Sequence, residues 1–221
     1  DLIEKFIPKD TSVDKKRYIE KAQESLNKFG LTSIHDAGTD IETINILKEL
    51  IQEDKLSIRV NAMLNNNIND YNFYLKNGSE RINNFLFVNS VKIYFDGAMG
   101  SRGAYLLEPY SDDKENVGLT VTSEDEVRKK VKIFNKAGFQ VAIHCIGDKA
   151  NRIALDIFED TNNKLYRNRI EHAQIIHEDD IDRFFDLGVI PSMQSIHCTS
   201  DMYWIDERLG NDRVHRAYPW S

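Results

Sequence analysis

Apolar and polar positions along this chain follow two periods in turn. From about Glu124 to Ala137 apolar residues recur at helical spacing, with Val127, Val131 and Phe134 on one stripe. Ser123 followed by Glu126 has the form of a capping box, and Gly138 stands where such a helix should end. The next stretch, FQVAIHCIGD at 139–148, is a short apolar run that ends in a histidine and reads as a buried strand. A second helix is expected from about Lys149 to Glu159 with Ile153, Ile157 and Phe158 inward. A third should follow the EDD at 178–180, whose charge suits a helix N-terminus, and bury Ile181, Phe184 and Phe185. Strands are expected at 31–35, 57–63, 91–95, 139–144, 169–173 and 188–193.

One junction recurs three times: an amphipathic segment ends in glycine and an apolar strand starts at once, at Gly30, Gly138 and Gly188. Strands alternating with helices imply a parallel sheet. An open doubly wound sheet should carry a glycine-rich turn after its first strand, and GLTSIHDAGTD does not supply one. Polar residues instead mark the C-terminal ends of most strands: His35 and Asp36, Asp96, His144, His172 and Gln194. In a (β/α) barrel those ends converge on one face and carry the chemistry, so the barrel is the better match.

Composition narrows the function. With 221 residues, 41% of them hydrophobic, the chain can bury a sizeable core as one domain or as part of a larger protein. A formal charge of -7 and a pI near 5.4 argue against nucleic acid or an anionic membrane surface as partner. RKKVK at 128–132 reads as one solvated helix face. No apolar run reaches the length of a membrane span, and two cysteines, Cys145 and Cys198, are too few for a disulfide framework, so a reducing cytoplasm is expected. The chain starts at Asp1 and stops at AYPWS, which reads as a piece of a longer protein.

The residues that could carry chemistry are few. His144 and His172 end two strands separated by one helix, the usual beginning of a metal site, although each alone could be a rim histidine bonded to backbone. Lys92, inside VKIYFDG, is costly to bury unless paired, neutral or modified. It could snorkel at an edge, act as a Schiff-base nucleophile, or be carbamylated into an anion able to bridge metal ions. DGAMGSRGA has neither phosphate-loop spacing nor a following helix, and reads as a flexible substrate-facing loop with Ser101 and Arg102 able to reach a ligand carbonyl or carboxylate. Asp148 could orient an imidazole or cap the next helix. His35, His177, His197 and His215 read as structural or exposed, and Cys145 as a small core residue on the strand face opposite His144.

GLTSIHDAG, VKIYFDGAMGSRGAYLLEPYSDD, FQVAIHCIGDKANRIALDIFE and RNRIEHAQIIHEDDIDRFFDLGVIPSMQSIHCTSDMYWIDERLG together resemble the YtcJ-like branch of the amidohydrolase superfamily, which includes N-substituted formamide deformylases and proteins labelled exoenzyme regulatory protein. The resemblance runs in order over nearly the whole chain, with 50–90 its vaguest part. It implies an α/β fold: a (β/α)8 TIM barrel of a metal-dependent hydrolase, here a partial barrel of about strands 2 to 7 over residues 1–221. It also implies one or two divalent ions, most often zinc, activating a water that attacks an amide-like carbonyl of a small-molecule substrate.

By that resemblance Lys92 is the carboxylated strand-four ligand, His144 the strand-five ligand and His172 the strand-six ligand. Asp96, Gly97, Ser101, Arg102 and Tyr110 match the family's segment after strand four and are expected near substrate rather than on metal. The family's His-x-His pair and late Asp are not found in these residues, so this piece is expected to hold a catalytic metal weakly and to be inactive by itself, while the parent is active. Barrel strands left unpaired would be a liability that dimerisation could meet. Two other readings stay open: a lyase using Lys92, and a non-catalytic ligand-binding or regulatory barrel.

Overall fold

The computed structural model describes residues 4–161 and 164–220. The chain divides into two compact units, residues 1–90 and 91–221. The first holds α1 (Ser12–Lys28), β1 (Ser33–Thr39), α2 (Ile41–Gln52), β2 (Arg59–Leu64), α3 (Ile68–Asn77), β3 (Glu80–Ile82) and the start of β4 (Leu86–Tyr94). β1 and β2 run parallel with Ser33 opposite Arg59. β3 pairs antiparallel with β4, a three-residue strand too short to leave a period in the sequence. Capping sets the helix starts: Thr11 and Asp14 form a capping box for α1, and the Asp40 carboxylate accepts the Thr43 N–H at 2.6 Å to open α2. Ile44, Leu47 and Leu50 of α2 bury against a core that includes Ile58, Val60 and Met63.

The second unit continues from the end of β4 through α4 (Glu124–Lys136), β5 (Gln140–Cys145), α5 (Asp148–Thr161), β6 (Arg169–His172), α6 (Glu178–Leu187), β7 (Ile190–Ser192), α7 (Ile196–Asp201) and α8 (Ile205–Leu209). β5, β6 and β7 are parallel neighbours, with His144 opposite Glu171 and Glu171 opposite Ser192. Parallel strands alternating with helices make this an α/β fold of partial (β/α)-barrel type. The six expected strands are all present, and Gly30, Gly138 and Gly188 take positive φ (75°, 85° and 66°), as the helix-to-strand junctions require.

α4 buries Val127, Val131 and Phe134 as expected, and α5 buries Ile157 and Phe158 but leaves Ile153 half-buried, with Ala154 and Leu155 inward beside it. α6 differs. Phe184 is buried, but Phe185 is 90% and Ile181 45% exposed, and the inward position is taken by Asp180. Arg152 and Arg183 both bond that buried carboxylate, at 2.7 and 3.0 Å, so it does not lie unpaired in the interior.

A small satellite core caps the strand ends of this unit, built from Met99, Leu106, Tyr110, Ile146, Ile175 and Leu209 among others. Its backbone lies close to β5: Tyr105 O accepts from Lys149 and Ala150, and a Cβ added at Gly147 would stand 2.0 Å from that same oxygen. Gly147→Ala is therefore expected to push the Tyr105 segment off the strand end and cost about 1–3 kcal/mol, read as a lowered thermal midpoint.

Candidate active site at the strand ends

Three side chains of the second unit define the candidate site. Lys92, on β4, is 3% exposed, and its Nζ lies 5.1 Å from the centre of the Tyr94 ring. Burial lowers its pKa, opposed by the nearby Glu171 carboxylate. His144, at the end of β5, and His172, at the end of β6, bring their rings to 4.6 Å between centroids. Register alone would separate them, because His144 is opposite Glu171 and Cys145 opposite His172, on the other face; the break in extended backbone at His172, with φ of 77°, interrupts that alternation where the two rings meet.

Both imidazoles are held neutral. Burial pushes His144 down to about 3, and the neighbouring His172 ring and Lys92 act in the same direction. Burial also lowers His172, against the pull of its hydrogen bond with Gln194. His144 Nε2 is buried without a hydrogen-bond partner and lies 3.5 Å from Asp96 Oδ1. His172 Nδ1 is 2.7 Å from Gln194 Oε1. The backbone at His172 is unusual, with φ of 77°, and Ala173 follows at 44°. Two successive non-glycine residues in the left-handed region are strained, a condition typical of functional sites.

Asp96 has a larger structural part than its sequence position suggests. It is 2% exposed, and its carboxylate accepts from three backbone N–H groups: Tyr105 at 3.0 Å, Ile146 at 3.0 Å and Gly147 at 2.9 Å. Burial raises its pKa to about 7, and those N–H groups pull the other way. Gly97 serves close backbone approach, because a Cβ there would meet Gly103 O at 3.0 Å. Its N–H donates to that oxygen, and Gly103 N–H returns a bond to Ala98, so DGAMGSRGA is a folded turn.

The other residues expected near substrate have their side chains engaged elsewhere. Ser101 donates to Ala98 O, and Arg102 forks onto Asp112 at 3.1 and 2.8 Å. Tyr110 is fully buried in the satellite core and donates its hydroxyl to Ala104 O. Asp148 accepts from the N–H groups of Leu107 and Lys149 and faces Arg216, tying the loop to the start of α5. Its partners are these, and not an imidazole.

The sequence does not single out two groups near the histidines: His197 reads there as structural or exposed, and Glu171 is not among the candidates. His197 of α7 brings its ring to 5.5 Å from His172. Glu171 is 6% exposed, and although burial would raise it, the Arg169 guanidinium at 2.6 Å holds its carboxyl below the ordinary value. Both are out of reach of local periodicity. Only Gln194, read from the polar marks at strand ends, pointed to this side of the site.

The donor set fits a divalent metal in kind: two neutral imidazoles meeting at one place, one with an orphaned buried nitrogen, beside a buried amine. Among the described residues, His, Cys, Asp and Glu alone do not form a group of three or more placed to hold a metal ion. A complete shell from this chain would have to draw on Lys92.

The model of the Amidohydro_3 amidohydrolase family matches residues 1–221. The chain belongs to this amidohydrolase family. Within it the chain falls in the YtcJ-like branch. It is 36% identical over 137 residues to Protein LONG AFTER FAR-RED 3 of Arabidopsis thaliana, covering 60% of this chain and 24% of that one. It is 34% identical over 133 residues to YtcJ of Bacillus subtilis, covering 60% and 25%. The match thus spans about a quarter of the length of these curated relatives. A crystal structure of an uncharacterized metal-dependent hydrolase from Pyrococcus horikoshii OT3 superposes on 95% of this chain and 42% of its own, with a TM-score of 0.86 at 36% identity. Membership of the amidohydrolase family agrees with the partial-barrel fold and with chemistry at the strand ends. No helix among the described residues is long and apolar enough to cross a membrane.

Proposed function

We propose that this amidohydrolase-family chain contributes the central part of a metal-dependent hydrolase that cleaves an amide-type C–N bond of a small molecule, with His144, His172 and Lys92 as metal ligands. The observation that carries the reading is the meeting of two neutral imidazoles at the ends of adjacent parallel strands, 4.6 Å apart, with a buried nitrogen left unbonded. The metal-dependent hydrolase from Pyrococcus horikoshii, similar over 95% of this chain, supports it. A divalent ion, zinc being the one such nitrogen ligands suit best, would polarise the scissile carbonyl and make water a nucleophile at neutral pH.

The chain's own residues prepare that chemistry. Burial keeps His144 and His172 free of the proton that would compete with a metal. The same burial favours the neutral amine of Lys92, the form that can add carbon dioxide at Nζ and shed a proton to become an anionic carbamate. The Asp96 clamp holds the strand-five end on which His144 stands.

Metal analysis of the intact protein, with chelation and restoration, tests the reading. Copurifying divalent metal and amide hydrolysis lost to a chelator and restored by zinc are expected. Turnover that ignores chelator, together with borohydride trapping of a carbonyl substrate on Lys92, would replace the hydrolase by a lyase.

A further inference from the structure

We infer that Gln194 is a positioning residue that selects the tautomer of His172, holding the proton on Nδ1 and leaving the Nε2 lone pair free. The inference concerns the hydrogen bond between the segment just after β7 and the end of β6, and its use for metal binding rests on the function proposed above. The orientation of the Gln194 carboxamide is set by its other end, because Nε2 donates to Ser192 O at 3.1 Å. The oxygen Oε1 must then be the atom facing His172 Nδ1 at 2.7 Å. A carboxamide oxygen only accepts, so Nδ1 must carry the hydrogen, and a neutral imidazole has a single N–H. The free electron pair falls to Nε2.

This is opposite to the preference of an unconstrained imidazole, which protonates Nε2, so the structure spends a specific contact on reversing it. The anchor of that contact is itself held. Arg169 bonds the Ser192 hydroxyl at 2.7 Å and Glu171 at 2.6 Å, tying β6 to β7 beneath the histidine. His172 also sits at a φ of 77° with Ala173 at 44°, a backbone that persists only where its surroundings determine it, and the bond across to Gln194 is one such restraint. Partners of this kind orient metal-binding histidines elsewhere, and losing them typically costs roughly 10–100-fold in metal affinity.

The test is nitrogen-15 NMR of the metal-free intact protein labelled at histidine, with the His172 signal identified by its loss in His172→Asn. The parent is expected to show Nδ1 protonated and Nε2 bare. Gln194→Glu, which still presents an acceptor, should keep that state, whereas Gln194→Leu should return the ring to Nε2–H and weaken zinc binding by roughly 10–100-fold. A parent spectrum with Nε2 protonated overturns the inference even where Gln194→Leu fails to fold, and so does an unchanged tautomer in a folded Gln194→Leu. Nδ1–H in a parent that binds no zinc supports the role of Gln194 and overturns the metal reading instead.

Discussion

His144→Ala or His172→Ala in the intact protein is expected to lower amide hydrolysis by roughly 10³-fold, since a catalytic metal contributes several kcal/mol of transition-state stabilisation and each 1.36 kcal/mol is tenfold in rate. The fold should survive. Both rings stand at strand ends rather than within the interior of the sheet, and His144 makes no hydrogen bond through its buried Nε2. Losing one ring leaves a single imidazole beside Lys92, so metal content should fall together with turnover. Steady-state rates, bound metal and the far-ultraviolet circular dichroism of each variant check this. Unchanged turnover in either variant would remove that histidine from the ligand set.

Asp96→Ala should have the largest effect on stability, about 3–5 kcal/mol, because it removes the acceptor of three backbone N–H groups at 2.9–3.0 Å. Two of these belong to the buried end of β5 and a third to the loop packed on it, and an unsatisfied buried donor costs about 1–3 kcal/mol. The loss is expected first as detachment of the segment 97–122, seen as faster proteolysis within it, and then as a lower unfolding midpoint. Asp96→Asn keeps a carbonyl oxygen and should lose clearly less. Equal losses in the two variants would show that the negative charge, and not the acceptor geometry, holds the clamp.

Much of the architecture is written locally. The stripe Val127, Val131, Phe134 and the glycines at 30, 138 and 188 mark helices and their ends through contacts three or four residues apart. The histidines at 144 and 172 stand out as polar residues at strand ends, where a barrel carries its chemistry, although only His144 closes an apolar run and β6 reads Arg-Ile-Glu-His. Lys92 stood out because a lysine among apolar residues needs an explanation in any fold. Asp96 was legible as a polar mark at a strand end but not as a clamp, since its partners Ile146 and Gly147 lie 50 and 51 residues on. The partners of Arg102 and Tyr110, Asp112 and Ala104 O, were not legible, because the first lies ten residues on and the second is a backbone atom across a folded turn.

The amino-acid sequence by itself determined the alternation of strands and helices and the polar marks at the strand ends, and it singled out Lys92, His144 and His172 as candidates, because periodicity and the cost of burying a charge act residue by residue. Only the tertiary structure decided that His144 and His172 meet at 4.6 Å, that Gln194 reaches His172 and that Phe185 faces outward. Those outcomes depend on strand pairing and on hydrogen bonds between distant segments, which exist only once the strands have paired.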